Sequence, residues 1–294
     1  MKWLKRIGIA LAAFALLVAI FLVYAYFIEP RQFVIVREEL AVPNWSPELN
    51  GFRVVAIADI HTGSNYAPPE RVRYVVEQAN AQEADLIVLL GDYVSESSWN
   101  RGARKPPDGT DRTELKVPVD IIAESLRGLK AKYGVYAIIG NHDWYHNQDK
   151  IIRTFRDAGI NVLNNEVASL DVNGKKLHIW GIEDLWQNRR VPLENTYDAI
   201  SEKQNIIAIT HNPDSLLQAP DGIAIMFAGH SHGGQLNWPI IGPFAPFNDP
   251  RFMDGHAVVD GRNVYVTSGV GTSVLPLRFR VPPEIAVITL NAAE

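Results

Sequence analysis

The segment "GHSHGGQ", residues 229–235, sets two imidazoles two positions apart among three glycines, directly behind the apolar run 223–228. A histidine held in a core needs packing around it, and glycine supplies none. Four more short apolar runs end in the same kind of residue: Asp59-Ile60-His61, Gly91-Asp92, Gly140-Asn141-His142-Asp143 and His211. Carboxylate, carboxamide and imidazole together suit Mn²⁺, Zn²⁺ or iron. In an extended segment, residues two apart point to the same side, so Asp59 with His61, and His230 with His232, each present two donors in one direction. The candidates are too many for one ion and suit a pair. Two ions about 3.5–4 Å apart need a bridging ligand, and Asp92, with two carboxylate oxygens, is the expected bridge. Any one of these residues alone reads as a surface or capping group; their repetition behind one strand after another argues against that. His146, His178 and His256 fall elsewhere.

The elements that must carry these residues are short. Runs at 52–58, 85–90, 134–139, 176–181, 205–210, 223–228, 263–268 and 284–290 are rich in β-branched residues, as strands buried on both faces are. Residues 31–45 alternate apolar and polar and read as a further strand. Helices are expected over 70–82, 119–132 and 148–158, the last closed by Gly159. Strands alternating with helices predict an α/β domain with much parallel sheet, and the late strands, with little helix between them, predict a second, more antiparallel sheet. In such sheets, sites form at the C-terminal ends of the strands, where the candidates stand.

Composition narrows the chemistry. The chain has 294 residues, 47% hydrophobic and 21% charged, enough for a substantial core. Its net charge of −5 without a long basic run speaks against nucleic acid as a partner. It has no cysteine, which excludes disulfides, thiolate metal sites and cysteine nucleophiles. Residues 7–28 form an uncharged apolar run, roughly 33 Å as a helix and long enough to cross a bilayer. Trp3 flanks one end, Tyr24 and Tyr26 the other, as at a membrane interface. The following "VYAYFIEP" offers no small-x-small cleavage site. We therefore expect residues 1–30 to be a single-pass membrane anchor and residues 31–294 one catalytic domain. Lys2, Lys5 and Arg6 before the span outnumber Arg31 and Arg37 after it, which places the domain outside the cytoplasm.

These motifs, in this order, resemble the calcineurin-like metallophosphoesterase superfamily: "DIH", "GD", "GNHD", the His of "THNP" and "GHSH", over a stretch from about Phe52 to the C-terminus. The resemblance implies a two-sheet mixed β-sandwich flanked by helices and two divalent metal ions. One ion would take Asp59, His61, Asp92 and His232; the other Asp92, Asn141, His211 and His230. His142 would be general acid or charge stabiliser at the leaving group, with Asp143 orienting it, and a metal-bridging hydroxide would attack phosphorus. With the anchor, "GHSHGGQ" and "VTSGVGTSVLPLRFRVPPEIAVITL" look similar to the membrane-associated branch of bacterial phosphodiesterases. That branch includes some UDP-2,3-diacylglucosamine hydrolases of lipid A synthesis. It implies a lipid-linked phosphate ester as substrate, met on the cytoplasmic side, against the orientation that the charges give. A phosphomonoesterase, nucleotidase or protein phosphatase would use the same site, and a non-catalytic tethered scaffold would be expected to have lost ligands. Two loops invite further roles. Trp238, Phe244, Phe247 and Phe252 in the proline-rich loop 237–255 could face acyl chains or pack on the sheet edge. Arg101, Arg104 and Lys105, or Arg278 and Arg280, could hold a second phosphate or form a solvated charged face.

Overall fold

Nearly unbroken burial along the apolar runs marks strands covered on both faces and sorts the chain into layers. The computed structural model describes residues 2–97, 110–185, 191, 196–239, 242–243 and 249–293. A helix α1 (Lys2–Val23) leads into β1 (Val34–Val42), β2 (Phe52–Ile57), α2 (Pro69–Asn80), β3 (Leu86–Leu89), α3 (Val119–Leu126), β4 (Val135–Ala137), α4 (Asn141–Asp157) and β5 (Asn161–Val162). Then follow β6 (Glu166–Val172), β7 (Lys175–Gly181), β8 (Ile206–Ile209), β9 (Ile225–Ala228), the small hairpin β10 (Asn237–Trp238) and β11 (Gly242–Pro243), β12 (Gly255–Val259), β13 (Arg262–Val266) and β14 (Glu284–Ala292).

The first sheet runs β1-β14-β2-β3-β4-β5 and the second β12-β13-β9-β8-β7-β6. Successive strand residues point to opposite faces. On β2, Val55 and Ile57 therefore pack with Ile87 and Leu89 against α2, α3 and α4, through Val75, Ile122 and Phe155. Val54 and Ala56 turn the other way, with Leu86 and Val88, onto Ile207, Ile209 and Phe227 of the second sheet. The outer face of that sheet buries Trp180, Ile206, Met226 and Val264 beneath Leu216 and Phe252. The result is the expected two-sheet α/β sandwich.

Several elements differ from the sequence reading. The second sheet is not mainly antiparallel: β7, β8, β9 and β13 are mutually parallel, and only β6 and β12 at its edges run against them. Among the described residues its crossovers carry short 3₁₀ turns, Tyr197–Ala199 and Pro213–Gln218, and no α-helix, so the usual helical sign of a parallel pair is weak. β6 was not expected. Helix α3 stops at Leu126 and not at 132, because Arg127 turns extended and Gly128 takes a φ of 107°. Helix α4 starts at Asn141, earlier than expected, and the predicted 148–158 is its second half, beyond a break at Asn147.

No residue of α1 is buried, and its length and composition suffice to cross a membrane. It passes without a linker into a π-helical turn, Tyr24–Ile28, and a 3₁₀ turn, Glu29–Arg31. Ala25, Glu29 and Pro30 of these turns are buried in the body.

Candidate metal centre

The parallel strands of both sheets deliver their C-terminal ends to one edge. There β2 is followed by Asp59, β3 by Asp92, β4 by Asn141, β8 by His211 and β9 by His230. Asp59, His61, Asp92, His230 and His232 all take positive φ, between 42° and 73°. That region is sparsely used outside glycine, and such strain concentrates at functional sites. Here it folds each strand exit back over the sheet edge.

The side chains converge. Asp92 Oδ2 lies 3.2 Å from His211 Nε2 and 3.6 Å from His61 Nε2. Asp59 Oδ1 lies 3.3 Å from His232 Nε2 and 4.0 Å from His61 Nε2. The ring nitrogens meet in pairs, His61 Nε2 to His232 Nε2 at 3.3 Å and His211 Nε2 to His230 Nδ1 at 3.1 Å. Asn141 Oδ1 stands 3.0 Å from His211 Nε2. Donor atoms of Asp59, His61 and His232, and of Asp59, Asp92 and His211, fall within 4.8 Å of one another. Thus all seven residues expected as ligands come together; Asp59 is common to these two groups, and Asp92 Oδ2 stands between His61 and His211, one imidazole from each.

The donor chemistry fits cations. His61 Nδ1 faces the Val94 carbonyl at 3.1 Å and His211 Nδ1 the Leu90 carbonyl at 2.7 Å. A carbonyl only accepts, so each Nδ1 carries a proton and each Nε2 is turned inward, where it can serve a cation once it is unprotonated. Those Nε2 atoms meet carboxylate and carboxamide oxygens, an arrangement that calls for positive charge between them: a proton on His211 in the metal-free protein, or a cation. Asp59 Oδ1 and His232 Nδ1 are buried without a hydrogen-bond partner among the described residues. Without metal, this crowding shifts the pKa values of the site. Burial, with Asp92 as a neighbour, raises the Asp59 pKa to about 7, while burial and neighbouring imidazolium lower His230 to about 3. Burial also opposes charge on His211, but Asp92 outweighs it and holds that ring well above its ordinary value. Cation binding would displace that proton.

Around the ligands, Asp143 departs from its expected part. Its two oxygens accept from the backbone N–H groups of Asp92 (2.7 Å), Tyr93 (2.9 Å), Gly140 (3.0 Å) and Val94 (3.2 Å). It closes the start of α4 as a capping-box residue and fixes the loop that carries Asp92. The carboxylate that meets His142 is Glu96, 3.0 Å from Nδ1, which sequence reasoning missed. Its position four residues past Asp92 in a polar loop carries no apolar frame that would have marked it. His142 itself donates its backbone N–H to Asp92 Oδ1 at 2.8 Å and, like His230 but unlike the buried His61, His211 and His232, stays partly exposed, its side chain 18% so. Burial alone would lower its pKa; Asp92 and Glu96 outweigh that and lift it to about 9.

Glycines make room for the ligands. A Cβ on Gly140 would stand 2.3 Å from Asp92 Oδ1, and one on Gly229 2.5 Å from Asp59 Oδ2. Gly140→Ala is therefore expected to displace the Asp92 carboxylate and weaken metal affinity by ~10–100-fold, measured by calorimetric titration of stripped protein, with the fold retained by circular dichroism.

The remaining candidates separate. His146, His178 and His256 meet Thr113, Ser169 and Asn263 away from the cluster. Arg278 is neither a solvated charge nor a phosphate ligand: it is fully buried and donates to the carbonyls of Ser268, Gly269, Gly271 and Val281. It thereby holds the shelf behind Asp59, where Gly271 N–H donates to Asp59 O at 2.7 Å. Arg280 is exposed. Phe252 is buried at 1% exposure under the second sheet and faces no lipid, whereas Trp238 is half-buried. Arg101, Arg104, Lys105, Phe244 and Phe247 lie outside the described residues.

Comparison with known proteins agrees with this geometry. Residues 52–234 match the family described as calcineurin-like phosphoesterase. The chain is 29% identical over 295 residues to the uncharacterized metallophosphoesterase YkuE of Bacillus subtilis (strain 168), covering 99% of this chain and 97% of that one. It is 29% identical over 274 residues to the phosphodiesterase YaeI of Escherichia coli (strain K12), covering 91% and 92%. It is 28% identical over 275 residues to a transmembrane protein with metallophosphoesterase domain of Danio rerio, covering 88% of this chain and 57% of that one. A match across most of the sandwich, including every motif that reaches the shared sheet edge, makes this chain a member of the calcineurin-like phosphoesterase family and a phosphoric ester hydrolase.

Proposed function

We propose that the protein is a membrane-anchored phosphodiesterase, with residues 1–30 as anchor and 31–294 as catalytic domain, cleaving a phosphodiester or pyrophosphate bond of a lipid-linked substrate. Asp59, His61, Asp92 and His232 would hold one divalent cation, and Asp92, Asn141, His211 and His230 the other; the mixed oxygen and nitrogen donors suit Mn²⁺ first, then Zn²⁺ or iron. Bound there, the two cations supply positive charge for the phosphoryl oxygens and an acidified water. The observation that carries the reading is Asp92, whose one oxygen faces imidazoles of both groups.

His142 is the proton donor to the leaving oxygen. Its Nδ1 is held by Glu96 and its Nε2 points 4.0 Å from Asp92 Oδ2, towards the ligand cluster. Glu96→Gln keeps the shape and removes the charge. It should lower kcat by ~10-fold or more, and should move the alkaline limb of the pH–rate profile to lower pH, because imidazolium loses its proton more readily without the carboxylate. Rate–pH profiles of both proteins check this; an unmoved limb would give Glu96 a merely structural part.

A lipid-linked substrate such as a UDP-diacylglucosamine is supported by the linker-free join between α1 and the body and by the membrane-branch segments of the sequence. The full-length protein, loaded with Mn²⁺ in detergent, is expected to hydrolyse bis(p-nitrophenyl) phosphate faster than p-nitrophenyl phosphate. The reverse preference would move the assignment to a phosphomonoesterase, nucleotidase or protein phosphatase. From the charges flanking α1, a C-terminal alkaline phosphatase fusion is expected to be active outside the cytoplasm; a fusion active only inside would favour the UDP-linked lipid on the cytoplasmic face.

A further inference from the structure

Parts of the body that touch the end of α1 share its depth in a bilayer. If the apolar layer begins at Ile7, just past Arg6, about 20 residues reach its far side near Tyr26. Phe21 and Tyr24 then lie within that far edge, and the body meets them there. Phe279 packs edge-on against Phe21 at 5.1 Å and Tyr24 at 6.1 Å, and Trp238 lies 4.6 Å from Phe21. Asn65 Nδ2 donates both to the Tyr26 carbonyl (2.9 Å) and to the Pro276 carbonyl (2.7 Å). Arg278 N–H donates to the Ala25 carbonyl at 2.9 Å. Residues 274–279 are thus strapped along the exit of the helix.

The other end of this segment reaches the metal centre, where Ser273 Oγ stands 3.4 Å from His142 Nε2. Between the two ends, Val274 is 64% exposed with a φ of 61°. A β-branched residue is strained in that region, and its exposed side chain recovers nothing in water. One buried amide enforces the conformation. Gln235 Oε1 accepts from Ser273 N–H (2.9 Å), and its Nε2 donates to the carbonyls of Ser273 (3.0 Å) and Leu275 (2.8 Å). Residues 274–277, "VLPL", carry no charge.

We propose that residues 274–277 form an apolar lip inserted into the bilayer surface, so that the metal centre opens at headgroup depth. The occupant of this surface is the lipid bilayer, and the substrate class it selects is an amphiphile whose phosphoester lies at the lipid–water boundary. The choice of substrate rests on the hydrolase reading above; the insertion does not.

The absence of cysteine allows a single nitroxide at Val274→Cys in the full-length protein, reconstituted in phosphatidylcholine–phosphatidylglycerol vesicles. The label should collide with dissolved oxygen and be shielded from a water-soluble nickel chelate. A label at Lys176→Cys, at the start of β7 on the opposite sheet edge, should show the reverse. A Val274 label as open to nickel as that at Lys176 overturns the proposal, and so does one closed to both probes, which would mean a protein partner. In activity, Val274→Asp should slow hydrolysis of a fluorescent diester lipid in vesicles by about tenfold and leave that of bis(p-nitrophenyl) phosphate within about twofold. Equal loss on both would make the lip part of the catalytic scaffold and overturn its membrane role. Should the wild type cleave neither ester, the phosphodiesterase reading fails while the nitroxide result still decides insertion.

Discussion

Asp92→Asn is expected to lower kcat/KM by ~10³-fold or more, about 4 kcal/mol of lost transition-state stabilisation, while the protein stays folded. The carboxamide matches the carboxylate in shape, and its oxygen can still accept the His142 N–H that Oδ1 now takes. Its NH₂ would then stand where Oδ2 faces the Nε2 atoms of His61 and His211. In the metal-free wild type Asp92 holds His211 protonated; in the variant both imidazoles are neutral and accept from the carboxamide, so a buried ion pair is exchanged for neutral hydrogen bonds and the metal-free variant should melt close to metal-free wild type. Stability kept and activity lost, measured by thermal unfolding and by diester hydrolysis with added Mn²⁺, separates a ligand from a structural residue. Loss of both would assign Asp92 to the fold.

His142→Ala is expected to cost ~10²–10⁴-fold in kcat on esters with poor leaving groups, and markedly less on aryl esters whose leaving oxygen needs no proton. Because the His142 Nδ1 is taken by Glu96, its loss should leave metal stoichiometry unchanged. The sign of the pH effect follows from its shift. With a pKa raised to about 9, opposed by burial but set by Asp92 and Glu96, the ring holds its proton below that value and loses it above. Wild-type activity should therefore fall on the alkaline side, and bound cations, disfavouring the imidazolium, will bring that fall to lower pH. In His142→Ala the alkaline limb should disappear. Leaving-group series and pH profiles on both proteins provide the check; a uniform loss across leaving groups would remove His142 from proton transfer.

Much of the centre was legible because it sits on the ends of buried strands. An apolar run followed at once by Asp, Asn or His is a strong contrast in sequence, and parallel topology gathers those ends without any further information. Residues that act from irregular backbone were not legible. Glu96 follows no strand and is defined only by where its loop folds, and Asp143, read as a partner of the His142 ring, is spent on four backbone N–H groups. Arg278 looked like surface charge in "RFR", yet its burial is satisfied wholly by carbonyls, which no side-chain pattern announces. The parallel order of the second sheet escaped for a related reason: the described parts of its crossovers carry 3₁₀ turns too short to show a helical period. Where the polar residues meet the strands, local sequence determines the outcome; where backbone groups satisfy one another across the chain, it does not.

The central claim is that the seven residues around Asp92 bind two cations, and metal counting tests it most directly. Full-length protein stripped with chelator, reloaded with Mn²⁺ and freed of excess should retain two ions per chain by plasma mass spectrometry, with Asp92→Asn retaining one or none. Wild-type protein that keeps none, or that keeps as many as its Asp92→Asn variant, would contradict the account.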